Sequence, residues 1–123
     1  LLEQEAFSED SRNREDALRL ARICASGSFD ADAIACIRSL PQKRDELSRV
    51  FSLAYQALRD LAVSRKDPHA PLVFFIDSCR EEASQYGMTR LTSAMDRIDR
   101  AQSALAANAS VPTLLLSLVC GQL

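Results

Sequence analysis

The run KRDELSRVFSLAYQALRDLAVSR, residues 43–65, decides the fold. Its apolar positions are Leu47, Val50, Phe51, Leu53, Ala54, Ala57, Leu58, Leu61 and Ala62. Many of them recur three or four residues apart, the period of one helical face. The stripe is broad, so the spacing predicts a long α-helix with a wide buried side. Arg44, Asp45, Arg49, Gln56, Arg59 and Asp60 fall opposite and read as its solvated face.

Outward from this element the pattern stays helical. Toward the N-terminus, Asp10 or Ser11 is expected to cap a helix whose first turn carries Glu15 and Asp16, acids that suit the positive end of the dipole. Ala17, Leu18, Leu20, Ala21, Ile23 and Cys24 form its apolar stripe, and Gly27 is its expected stop. Ser28 is read as the cap of a second helix with Ala33, Ile34, Ile37 and Leu40 on one face, ended by Pro41. Beyond the long helix, Asp67-Pro68-His69-Ala70-Pro71 is a loop. Leu72-Val73-Phe74-Phe75-Ile76 satisfies strand and buried-helix templates equally. Helix is preferred because Asp77 to Gln85 continues as a good helix former and no partner strand is in view. Tyr86-Gly87 ends it, and Met88 or Thr89 opens a helix with Leu91, Ala94, Met95, Ile98, Ala101 and Leu105 inside. Asn108-Ala109-Ser110 breaks that helix, and Val111-Pro112 starts a last one with proline in its first turn. The fold class is therefore all-α: one domain over residues 1–123, a compact bundle of five to six helices.

Composition bounds the function. The chain has 123 residues, 47% hydrophobic and 26% charged, a globular balance that excludes a mostly disordered chain. No apolar run approaches the roughly 20 residues of a membrane-spanning helix. The four cysteines, Cys24, Cys36, Cys79 and Cys120, include no C-x-x-C pair, so neither zinc nor any other metal is expected. Cys24, Cys36 and Cys120 sit among apolar neighbours and are expected to be buried free thiols. With no signal-peptide pattern at Leu1-Leu2-Glu3-Gln4-Glu5, the expected location is cytoplasmic. A start on Leu-Leu rather than Met suggests a fragment of a longer chain.

Catalytic constellations are missing from the sequence: there is no phosphate-cradling G-x-x-x-x-G-K-[ST], no G-x-S-x-G elbow and no H-E-x-x-H pair. His69 is a solitary histidine between prolines, and Glu81-Glu82 and Asp96/Asp99 read as solvated helix faces. No catalytic residue, cofactor or small-molecule substrate is expected. Charge is uneven, with residues 1–32 at net −4 and residues 38–66 at net +4. The second segment could meet phosphate or an acidic surface, although no aromatic residues interleave with it as in a single-strand binder.

Two stretches are familiar in combination. Leu58-Arg59-Asp60-Leu61 closes the long helix, and roughly forty residues later comes the run from Ile98 through Ala107-Asn108-Ala109 to Leu114-Leu115-Leu116-Ser117-Leu118. Over about residues 40–120 this order resembles the C-terminal domain of bacterial DNA polymerase III clamp-loader subunits, delta-prime first and gamma/tau second. In that family a helix ending in a Leu-Arg-Asp-Leu-like step precedes a helix closed by Asn-x-Asn or Asn-Ala, and a leucine-rich helix follows. This chain departs from the pattern at Ala57, near where relatives often carry Trp, and at Ser117, where Glu is usual. The resemblance implies a collar domain. It would associate with the other loader subunits and help hold the pentamer that loads the sliding clamp on primed DNA. It would carry no nucleotide site, and DNA contact by it is not expected.

Leu114, Leu115, Leu116, Leu118 and Val119 cover nearly the whole circumference of the last helix. A helix apolar all round is central or lies against a partner, and these five are the candidate subunit interface. Two other readings stand beside the collar: a freestanding helical adaptor or regulatory protein that binds a partner helix in a groove, and a small nucleic-acid module using the 38–66 basic face.

Overall fold

The computed structural model describes residues 2–27, 30–75 and 79–120, and for residues 2–10 the backbone alone. It is an all-helical bundle of six helices with no strand among the described residues. In order they are α1 (Leu2–Ser26), α2 (Ala31–Ser39), α3 (Arg44–Lys66), α4 (Arg80–Ala83), α5 (Met88–Ala106) and α6 (Val111–Val119). The 43–65 run is α3, and it sits at the centre, packed on α1, α5 and α4. Of its nine predicted stripe residues all but Leu53 are buried. Asp45 and Glu46 lie in its first turn and Arg65 and Lys66 in its last, each sign at the end of the dipole that favours it. Buried alanines recur on the three main helices, among them Ala17, Ala21, Ala54, Ala57, Ala94 and Ala101. Small side chains at helix contacts let the axes approach closely.

Helix ends follow local chemistry with two changes from expectation. Asp10 and Ser11 do not cap α1, which runs helical from Leu2; no proline or glycine interrupts residues 2–26, and a cap-forming side chain does not stop a helix by itself. Gly27 does end it, at φ +70°, a left-handed conformation that glycine adopts without a Cβ penalty. The expected Ser28 cap lies outside the described residues. Asp30 caps α2, its side chain accepting from the Ala33 N–H at 3.1 Å. Leu40, before Pro41, is extended. At the end of α5, Asn108 takes φ +64°, with Asn108 N–H on the Leu105 carbonyl and Ala109 N–H on the Ala104 carbonyl. That pair of bonds is a Schellman closure with asparagine in the glycine position.

The expected helix over 72–85 is corrected. Leu72 to Phe75 is neither helix nor strand, and among the described residues of that span only Arg80–Ala83 is helical; Ile76, Asp77 and Ser78 lie outside the described residues. Asp60 supplies the reason. Predicted on the solvated face of α3, it is fully buried. Its carboxylate accepts from the N–H groups of Val73, Phe74 and Phe75 at 2.6–3.0 Å and pairs with Arg59 at 3.0 Å. Three successive N–H groups converge on one carboxylate, a stronger acceptor than helix carbonyls, and they draw the segment across α3 in an open course. Phe74 is thereby pressed into the core beneath the Arg14 guanidinium, which lies 4.4 Å from the ring centroid and donates to the Phe74 carbonyl.

Candidate functional site

Helix α6 starts from Ser110 with Pro112 in its first turn and packs on α5, α1 and α2. Of the five candidate interface residues, Leu114, Leu115, Leu118 and Val119 are buried in the domain's own core, and Leu116 is 49% exposed. Pro112 and Thr113 are also exposed on this helix, and Ser117 is half-buried. The apolar circumference is thus mostly consumed internally, leaving Leu116 as its outward-facing member. Tyr55 on α3 and Val73 in the Asp60-bound segment are the other exposed large apolar side chains among the described residues.

Arginines fix the ends of the helices that frame this surface. Arg97 on α5 donates to the Cys24 carbonyl at 2.7 Å and to the Leu118 carbonyl at 3.4 Å, joining the last turns of α1 and α6. Arg90 donates to the Ser26 carbonyl. Arg44 on α3 donates to the Leu105 and Ala109 carbonyls at 3.0 and 2.6 Å. Helix C-termini leave carbonyls unpaired and carry partial negative charge, so a guanidinium there satisfies both needs. Gln102 adds a lateral link from α5 to α3, accepting from the Ser48 hydroxyl and donating to the Ser48 carbonyl and Ser52 hydroxyl oxygen. Sequence reasoning missed these links because all but the Arg97–Leu118 contact span fifty or more residues.

The basic segment is partly engaged by partners within the chain, though its arginines stay at the surface. Arg44 closes α5, Arg59 binds Asp60 and the Pro71 carbonyl, and Arg65 reaches the Ala83 carbonyl. Those contacts draw on the cations that a phosphate-binding face would use.

The remaining candidates for chemistry are dispersed. His69 is exposed in its loop, where its N–H binds the Asp67 carboxylate. Among the described residues no group of three or more His, Cys, Asp or Glu is placed to hold a metal. Cys24 and Cys36 are buried, and burial pushes their thiols up to about 12 and about 11. Cys120 is corrected: it is exposed, because α6 ends at Val119 and Cys120 turns away at its C-cap. Cys79 is buried instead, its Sγ donating to the Asp60 carbonyl at 3.5 Å. Glu82, read as solvated, forms a two-bond pair with Arg22 at 2.5 and 3.2 Å. That pair lines an open cleft of about 700 Å³ with Cys79, Arg80, Gln85 and Tyr86. The cleft wall mixes both charges, and burial holds the thiol on it, Cys79, above its ordinary pKa. Comparisons with family models, curated proteins and solved structures found no match for this chain.

Proposed function

We propose that the chain is a subunit-association domain of a bacterial DNA polymerase III clamp loader, most like the collar of delta-prime. The observation that carries this reading is the order of three features along the chain. A Leu58-Arg59-Asp60-Leu61 step lies in the C-terminal part of a long helix, a helix closes on Asn108-Ala109, and a leucine-rich terminal helix follows. Support comes from their placement: α5 packs on both α3 and α6, so the three carriers form one packed unit. A domain of this kind works by shape and assembly. It needs no nucleotide site, metal or cofactor of its own, and its partners are the neighbouring loader subunits in the cytoplasm. The part of α6 available to them is the Leu116 side, next to Pro112 and Thr113.

Reconstitution tests this directly. The chain should co-elute with purified clamp-loader subunits of its own organism. Leu116→Asp should abolish co-elution while keeping the helical circular-dichroism spectrum and the melting temperature. Absence of any assembly by the wild-type chain would overturn the reading in favour of a freestanding adaptor. Micromolar affinity for ATP would overturn the assembly-only role.

A further inference from the structure

Charge stops at Arg100. All 15 lysines and arginines and all 17 aspartates and glutamates fall within residues 1–100, and residues 101–123 carry none. The change is visible within one helix. Up to Arg100 the exposed positions of α5 include Arg90, Asp96, Asp99 and Arg100 itself. Beyond it they are Ser103 and Ala106. Burial accounts for the uncharged inner stripes of α5 and α6. It does not account for uncharged positions that face water. Those positions continue through Ser110 at the start of α6 into Pro112, Thr113 and Leu116, all exposed, and α6 packs on α5. Two arginines border them, and both are taken up by helix ends: Arg44 donates to the Leu105 and Ala109 carbonyls and Arg97 to the Leu118 carbonyl.

We propose that this end of the domain, from Ser103 through the turn to Leu116, docks on an uncharged surface of a neighbouring clamp-loader subunit in a contact that uses no ion pair. The inference deepens the collar reading and rests on it. Charge argues for the occupant. Interface centres are depleted in charged residues, because each charge gives up its hydration on docking. A face without charge offers a charged partner nothing in return for that loss, so the complementary surface is neutral as well. Leu116, 49% exposed, supplies the apolar anchor, and the Ser103, Ser110 and Thr113 hydroxyls pair with neutral polar groups. Contact through the basic 38–66 segment would behave differently: it would be electrostatic and screened by salt.

The test measures the affinity of the 123-residue chain for the purified loader subunits of its own organism at about 50 and about 500 mM salt, across which surface charge pairs are largely screened. The dissociation constant should change by less than about twofold. Ala106→Lys and Thr113→Asp should each weaken binding about tenfold or more by burying a charge without a partner. Both suit their helices, a cation at the end of α5 and an anion in the first turn of α6, so circular dichroism and the melting temperature should stay as in wild type. Ser93→Lys, on the exposed side of α5 before Arg100, should bind as wild type. Assembly that weakens more than about tenfold with salt, or that tolerates both charges, overturns this inference and leaves the collar reading standing. Equal weakening by Ser93→Lys does the same, because net charge and not this face would then govern binding. Failure of the wild-type chain to assemble at either salt concentration overturns the collar reading and this inference with it.

Discussion

Asp60 and Asp16 are both buried carboxylates, provided for in opposite ways. Asp60 lies in the C-terminal half of α3 with no exposed surface, yet three backbone N–H groups and Arg59 converge on it. Asp16 lies on α1 with an enclosed oxygen that nothing in the chain satisfies. Partners, more than depth, set what a buried charge costs. One carboxylate organises the segment from Val73 to Phe75, and the other weakens the fold that holds it.

The sharpest way to break the contrast is to remove the Asp60 carboxylate. Asp60→Ala leaves three N–H groups without their acceptor and releases Phe74 from its place. Each buried group left unpaired costs about 1–3 kcal/mol, and those near the surface recover part of that from water. Chemical denaturation should show a loss of about 3–4 kcal/mol, and a loss under about 1 kcal/mol would mean that the segment holds without Asp60.

Arg14 clamps the same segment from the α1 side, through the ring and the carbonyl of Phe74. Arg14→Ala should cost about 1–2 kcal/mol by the same measurement, combining a cation–π contact with a charged hydrogen bond. The double variant with Asp60→Ala should lose less than the sum, because both act on one segment.

Asp16→Asn should act in the opposite direction and by less. The folded pKa of Asp16 is raised above the ordinary 3.8, so in the window between the two the native state holds a proton that the unfolded chain has released. Stability therefore falls as pH rises through that window, and the whole cost is present above it. The asparagine variant should melt higher than wild type at neutral pH. The gain should shrink on acidification and vanish below the ordinary value. A variant that melts lower at neutral pH would contradict an uncompensated charge.

Thiol labelling perturbs the fold least and separates the two regions. Cys120 should react at once, and Cys24, Cys36 and Cys79 only slowly, since burial raises all three thiols. Asp60→Ala should accelerate Cys79, which donates to the Asp60 carbonyl, far more than Cys24. Asp16→Asn should leave that ratio unchanged. Equal acceleration of both thiols by Asp60→Ala would mean global rather than local opening.

Periodicity within α3, α5 and most of α1 was enough to name the elements and nearly all of their core, because a helix repeats its own geometry every turn and apolar spacing records which face is covered. Gly27, Pro41 and Asn108 were legible as breaks because their backbone preferences are local. The same periodicity misplaced Asp60. By its own helix it belongs to the solvated face, and a chain segment thirteen to fifteen residues away covers it. The apolar run 72–76 carried no mark of the N–H groups that Asp60 would claim from it. Among the candidate interface residues, sequence could say that α6 was apolar all round; only the packing of α5, α1 and α2 against it decided that Leu116 points outward while its neighbours do not. The exchange of Cys120 for Cys79 as a buried thiol has the same origin. Helix identity rests on contacts within a few residues, which the order of side chains specifies directly. Burial of any one polar or apolar group at a helix surface depends on what arrives from elsewhere in the chain, and that is settled when the helices pack.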